Sequence, residues 1–127
     1  MTEPAMHGRA GAPVAIVDDD PDIRMALQSL LACENLAPEA FDSAEALLAE
    51  PEIERFAAII SDLQMPGING LSLAREIRRR YAVPILLITA FPAKGLEEQA
   101  RAAGISAVLR KPFDPMELID RLVALIG

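Results

Sequence analysis

The sequence is poor in the features that mark several classes of protein. It has one cysteine, Cys33, among 127 residues, which excludes an internal disulfide. Because Cys33 lies in an apolar helical pattern, we expect a small core or half-buried residue rather than a nucleophile. No apolar run approaches the ~20 residues of a membrane-spanning helix, and residues 1–13 lack the apolar core of a signal peptide. We therefore expect a cytoplasmic protein that does not contact a membrane.

Positive charge is also scarce, with 12 Lys and Arg against 19 Asp and Glu and a net charge of −7 at pH 7. A chain of this charge repels nucleic acid on average, so we expect no direct binding to it. The one basic run, at residues 78–80, ends a predicted helix, where cations complement the helix dipole. Apolar residues, by contrast, make up 52% of the chain. The composition predicts one folded domain over residues 13–127, after a flexible tail of residues 1–12.

Strand-like apolar runs alternate with helical patterns five times along the chain. The predicted strands are residues 14–17, 57–62, 84–89 and 105–109, with a turn and a short second strand within residues 35–41. An amphipathic segment follows each strand, and the first of these segments begins with Asp20 as a cap and Pro21 in its first turn. Repeated βαβ units imply a parallel sheet covered by helices on both faces. The sequence thus predicts an α/β fold with a doubly wound, five-stranded (βα)5 parallel sheet.

Polar side chains stand at the carboxyl ends of four predicted strands. They are Asp18, Asp19 and Asp20 after the first strand, Asp62 at the end of the third, Thr89 at the end of the fourth and Lys111 after the fifth. Because these ends meet at one edge of a parallel sheet, we expect the side chains to share a cleft. Carboxylates gathered there repel one another. A bound Mg²⁺, which prefers oxygen ligands, would relieve that repulsion.

The same cleft holds an amine and a hydroxyl. Lys111 and Thr89 can both donate hydrogen bonds to phosphate oxygens. Taken alone, Asp62 would be interpreted as an ordinary solvated loop residue, since Asp is common in turns. A metal, a lysine and a hydroxyl around a carboxylate are, however, typical of phosphoryl transfer. We therefore predict that Asp62 is a nucleophile that forms an acyl phosphate.

Four motifs at these strand ends carry a family resemblance. They are VDDD at residues 17–20, DLQMPGING at 62–70, LLITA at 86–90 and KPF at 111–113. With these motifs in this order, residues 13–127 resemble the receiver domain of two-component response regulators, in the CheY-like superfamily. The resemblance implies a flavodoxin-like sheet in the order 2-1-3-4-5. It also implies phosphoryl transfer from the phosphohistidine of a sensor histidine kinase to Asp62, in a protein that is not a turnover enzyme on an external substrate.

The resemblance assigns the Mg²⁺ ligands. Asp19 and Asp62 would bind Mg²⁺ directly, together with the main-chain carbonyl of Gln64, and Asp18 would bind it through water. Asp20 lies beyond the family's acidic pair, and we expect it to act only as a helix cap.

The resemblance also makes Thr89 and Lys111 the phosphate-sensing pair, and it implies a cis peptide between Lys111 and Pro112. The chain departs from the family at Val108, three residues before the lysine, where many receivers have Tyr or Phe. A β-branched side chain is stiff and short, so the inward swing of an aromatic ring is excluded here. Phe91, near the cleft mouth, either shields the acyl phosphate partly from water or is simply a half-exposed aromatic residue of the loop, and the sequence favours neither.

We expect phosphorylation to be signalled through a change at a protein-binding surface. Phosphorylation would bias the face formed by the fourth helix, fifth strand and fifth helix. That face would bind a downstream output domain or protein, or a second copy in a homodimer. The alternative is a receiver-fold interaction module that works without phosphorylation. The two differ in whether acetyl phosphate with Mg²⁺ phosphorylates Asp62.

Overall fold

The structure is a computed structural model that describes residues 10–90 and 93–126. Its elements in chain order are β1 (Pro13–Val17), α1 (Pro21–Cys33), β2 (Ala37–Phe41), α2 (Ala44–Leu48), a 3₁₀ turn (Ile53–Arg55), β3 (Ala58–Asp62), α3 (Gly70–Arg80), β4 (Ile85–Thr89), α4 (Leu96–Ala102), β5 (Ala107–Arg110) and α5 (Pro115–Ile126). The fifth strand begins two residues later than predicted because the N–H of Ile105 donates to the carbonyl of Ala100 and closes α4 (2.9 Å).

Short polar side chains begin four of the helices. Asp20, Ser43, Asn69 and Asp114 accept hydrogen bonds from the backbone N–H groups of Asp22, Ala46, Ser72 and Met116, at 2.9–3.0 Å. Each bond satisfies a donor that has no partner inside its helix. The predicted capping role of Asp20 is confirmed.

All five strands are parallel and lie in the order β2-β1-β3-β4-β5. The predicted α/β class, the doubly wound (βα)5 sheet and the strand order are confirmed. The register aligns Val17 with Ser61, Asp62 with Ile88 and Thr89 with Arg110. Because the ladders end at these pairs, the loops after β1, β3, β4 and β5 leave the sheet at one edge.

The sheet divides the core into two layers. One layer packs α2, α3 and α4 against the sheet, and the other packs α1 and α5 against its opposite face. Every residue of β3 and β4 is buried. Burial on both faces explains why these strands are nearly continuous apolar runs without alternation.

The prediction for Cys33 is wrong, because its side chain is exposed. Leu27 and Leu31 form the buried stripe of α1. Cys33 lies two positions beyond Leu31, about 200° further around the helix. It therefore faces solvent although its neighbours along the chain are apolar.

The predicted tail, residues 1–12, lies mostly outside the described residues. Residues 10–12 are described, and Gly11 and Ala12 hydrogen-bond to the segment around β2. The N–H of Gly11 donates to the carbonyl of Asn35 (2.7 Å), and the carbonyl of Ala12 accepts from the N–H of Ala37 (2.9 Å). Among the helices of residues 10–90 and 93–126, none has the length and apolar character needed to cross a membrane.

Candidate functional site

The end of β1 supplies two carboxylates in different environments. Asp18 is 3% exposed, and its N–H donates to the carbonyl of Phe41 (3.2 Å). Its Oδ1 accepts a hydrogen bond from the N–H of Asp20 (2.9 Å). Asp19 is exposed. The first acid is therefore held by the sheet and its own turn, while the second is open to solvent and to a ligand.

Asp62 brings a third carboxylate to the same place. It is the last residue of β3 and is 8% exposed. Asp18, Asp19 and Asp62 each offer a carboxylate oxygen within 4.8 Å of the others. An all-oxygen donor set of this size fits the ligand preference of Mg²⁺ and leaves room for water in its coordination sphere.

Lys111 reaches into this cluster from the loop after β5. Its Nζ lies 3.1 Å from Oδ1 of Asp62 and 3.7 Å from Oδ2 of Asp18. Its backbone N–H donates to the carbonyl of Thr89 (2.8 Å), so the lysine is tied to the end of β4. The predicted cis peptide between Lys111 and Pro112 is confirmed.

Thr89 is fully buried at the end of β4. Beside it lies a cavity of about 450 Å³ that Val108 also lines. Val108 pairs with Leu87 of β4 and packs against the core layer under α4. Gln64 is exposed in the loop after β3, and the ligand role of its carbonyl stays a prediction. Phe91, for which a shielding role was one of two alternatives, lies outside the described residues.

Burial and neighbouring charges disfavour the ionised form of Asp18 in this cluster. Burial raises the pKa of Asp18 above its ordinary value, and the nearby charges of Asp62 and Asp19 raise it further. The hydrogen bond from Asp20 and the charge of Lys111 oppose this rise without cancelling it. The ionised carboxylate is thus disfavoured in the folded state, and a bound cation would stabilise it.

Gly70 lets the loop after β3 close tightly behind Asp62. A Cβ at Gly70 would lie 2.6 Å from the carbonyl oxygen of Asp62 and 2.7 Å from Cδ1 of Leu87. The N–H of Gly70 donates to the carbonyl of Leu63 (2.9 Å). In the sequence Gly70 is only the last residue of the DLQMPGING motif, since a close approach between segments leaves no local signal.

Sequence reasoning also missed Arg24, which touches the acidic turn. Its Nη1 donates to the main-chain carbonyl of Asp18 (2.7 Å). The only signal in the sequence is its position in the first turn of the helix that follows the three acids. That position is also common for a solvated arginine on an amphipathic helix.

Comparison with known proteins gives one family. The family model described as "Response regulator receiver domain" matches residues 14–123. The transcriptional regulatory protein PdtaR of Mycobacterium tuberculosis is 39% identical, over 96% of this chain and 61% of its own length. The transcriptional regulatory protein ResD of Bacillus subtilis is 33% identical, over 89% of this chain and 47% of its own length. The chain thus spans only about half the length of such curated relatives.

Solved structures share the fold. The chemotaxis protein CheY4 of Vibrio cholerae superposes with a TM-score of 0.82 at 29% identity, covering 91% of this chain and 99% of that one. The receiver domain of the sensor histidine kinase PA1611 from Pseudomonas aeruginosa PAO1 superposes with a TM-score of 0.81 at 31% identity, covering 93% and 99%. That structure has a magnesium ion coordinated in its active site cleft.

Proposed function

Because this chain belongs to the response regulator receiver family of two-component systems, we propose that Asp62 accepts a phosphoryl group from the phosphohistidine of a sensor histidine kinase, in a Mg²⁺-dependent reaction. One observation carries this proposal. Three carboxylates lie within 4.8 Å of one another, and an ammonium group lies 3.1 Å from the one that ends β3. This is the charge arrangement that phosphoryl transfer to a carboxylate requires.

The residues of the cluster would divide the chemistry between them. Asp19, Asp62 and the main-chain carbonyl of Gln64 would hold Mg²⁺ directly, and Asp18 would hold it through water. When bound, Mg²⁺ supplies positive charge that orients the phosphoryl oxygens and offsets their charge. An oxygen of Asp62 attacks the phosphorus, a P–O bond forms, and the P–N bond breaks with its electron pair returning to the histidine nitrogen. Lys111 then donates to a phosphoryl oxygen.

The response would pass from the phosphoryl group to the β5 edge of the sheet through Thr89 and Lys111. These residues already share a hydrogen bond between their backbones (2.8 Å). The hydroxyl of Thr89 would move toward the phosphoryl oxygens and shift the loop after β4. With Val108 in place of an aromatic ring, the loop itself carries the change to the face formed by α4, β5 and α5.

Partners follow from the family in general terms, since receiver domains pair with histidine kinases and output domains. We propose that the α4–β5–α5 face contacts a downstream output domain or protein, or a second copy in a homodimer. We also propose that the domain works in the cytoplasm, and that it binds neither nucleic acid nor membrane directly, in keeping with its net charge of −7.

The proposal is tested by incubating the purified chain with acetyl phosphate and Mg²⁺. We expect the intact mass to rise by one phosphoryl group and hydroxylamine to reverse the change. The modification should be absent in EDTA and in Asp62→Asn, which keeps the shape of the side chain and removes the nucleophile. An unmodified parent protein, or a modified Asp62→Asn, would instead support an interaction module that works without phosphorylation.

A further inference from the structure

Arg24 lies beside an acidic turn, yet it hydrogen-bonds to the main chain of that turn rather than to a carboxylate. Three consecutive aspartates lie four to six positions before it. Within residues 10–90 and 93–126, its guanidinium nevertheless forms no ion pair with any carboxylate. Its Nη1 donates instead to the neutral main-chain carbonyl of Asp18, at 2.7 Å and in a partly buried position. A hydrogen bond to this carbonyl fixes the position of a backbone group and does not neutralise a carboxylate.

That carbonyl belongs to the peptide that leads from Asp18 into Asp19. Because the peptide is planar, fixing its oxygen also fixes the direction in which the chain enters Asp19. The other end of the turn is held by the backbone N–H of Arg24, which donates to the carbonyl of Asp20 (3.0 Å). Between them, the N–H of Asp20 donates to Oδ1 of Asp18 (2.9 Å). Arg24, a residue of α1, therefore donates one hydrogen bond to each end of the turn.

We propose that Arg24 is a positioning residue, which orients the Asp18–Asp19 peptide so that the carboxylates of this turn face Asp62 before a divalent cation binds. The inference rests on the proposed Mg²⁺ site and adds a residue to it that does not touch the cation. Unlike Lys111, which lies 3.1 Å from Oδ1 of Asp62, Arg24 leaves the carboxylate oxygens available as ligands.

Two substitutions separate orientation from charge. Arg24→Lys keeps the positive charge, but its nitrogen is one atom closer to the backbone and lacks the planar fork of the guanidinium. Arg24→Gln removes the charge. If orientation is the role, both variants should bind Mg²⁺ about tenfold more weakly, as is usual when a group that orients a ligand is lost. If charge alone matters, Arg24→Lys should bind Mg²⁺ like the parent.

The experiment is a calorimetric Mg²⁺ titration of the parent, of both variants and of Arg80→Gln. Arg80 is an exposed arginine at the end of α3 and serves as the matched control. Amide hydrogen exchange at Asp20, followed by NMR in EDTA, supplies a second readout that needs no metal. Thermal unfolding in EDTA verifies that each variant is folded.

We expect weaker Mg²⁺ binding and faster Asp20 exchange in both Arg24 variants, with neither change in Arg80→Gln. A Mg²⁺ affinity of Arg24→Lys equal to that of the parent would overturn the inference, and so would a parent that fails to bind Mg²⁺. A parent that binds Mg²⁺ without being phosphorylated by acetyl phosphate would overturn only the proposed function. In that case the Mg²⁺ affinities of the variants still decide the role of Arg24.

Discussion

Replacing Gly70 with alanine tests how closely the loop behind the phosphoacceptor packs. The added Cβ would lie 2.6 Å from the carbonyl oxygen of Asp62, 2.7 Å from Cδ1 of Leu87 and 3.0 Å from Cα of Leu63. Two of these three atoms belong to the backbone at the end of β3, so they cannot rotate away. Leu87 is fully buried, and close-packed interiors have little room for a side chain to shift. The start of α3 must therefore move away from β3.

Two opposing contributions decide the sign of the stability change. Alanine is favoured over glycine inside a helix by up to about 1 kcal/mol, and by less at the first helical position. Overpacking a tight site costs about 1–3 kcal/mol. Straining the 2.9 Å hydrogen bond from Gly70 to Leu63 adds to this cost, up to about 1 kcal/mol. We expect Gly70→Ala to lower the free energy of unfolding by roughly 2 kcal/mol, or the melting temperature by about 5–10 °C.

The assay is urea unfolding followed by far-UV circular dichroism in EDTA, with the phosphorylation rate by acetyl phosphate measured in parallel. Gly95→Ala is the matched control. Gly95 has a φ of +83° but no heavy atom within 4 Å of an added Cβ, so only backbone strain of about 1–2 kcal/mol applies. We expect Gly70→Ala to slow phosphorylation because the displaced start of α3 pulls on the loop that joins it to Asp62, and Gly95→Ala to slow it less. A Gly70→Ala protein as stable as the parent would refute the close approach.

Three further predictions address charge and packing. Burial raises the pKa of Asp18, so ionisation costs more in the folded than in the unfolded chain, and the stability of the Mg²⁺-free domain should fall as pH rises through the Asp range. Asp18→Asn should therefore be more stable than the parent at neutral pH in EDTA, and equal urea midpoints there would contradict this. Lys111→Met should bind Mg²⁺ more tightly in a calorimetric titration, because Mg²⁺ no longer competes with an ammonium 3.1 Å from a ligand oxygen; weaker binding would argue against that competition. Leu31→Ala, at a fully buried position of α1, should cost about 3 kcal/mol in urea unfolding. Met25→Ala on the same helix, where the side chain is 68% exposed, should cost less than about 0.5 kcal/mol, and equal losses would refute the assigned helix face.

The sequence alone predicted the fold and the three acids of the carboxylate cluster, Asp18, Asp19 and Asp62. The alternation of apolar strands with capped amphipathic helices implies a parallel sheet, and a parallel sheet brings its carboxyl ends to one edge. Asp18, Asp62, Thr89 and Lys111 could therefore be placed together although 93 positions separate the first from the last. The exposure of Cys33 was predicted wrongly because an apolar neighbourhood along the chain does not say which side of a helix faces the core.

Other features were decided only by the tertiary structure. The bond from Arg24 to the carbonyl of Asp18 and the approach of Gly70 to Asp62 depend on distances between segments, and no local pattern encodes them. The raised pKa of Asp18 depends on burial and on charges brought from β3 and β5. Sequence periodicity determines which strand ends share an edge, because it reports the repeating geometry of each element. Only tertiary packing determines how close the atoms at these strand ends come, because that distance depends on how side chains from distant segments pack against one another.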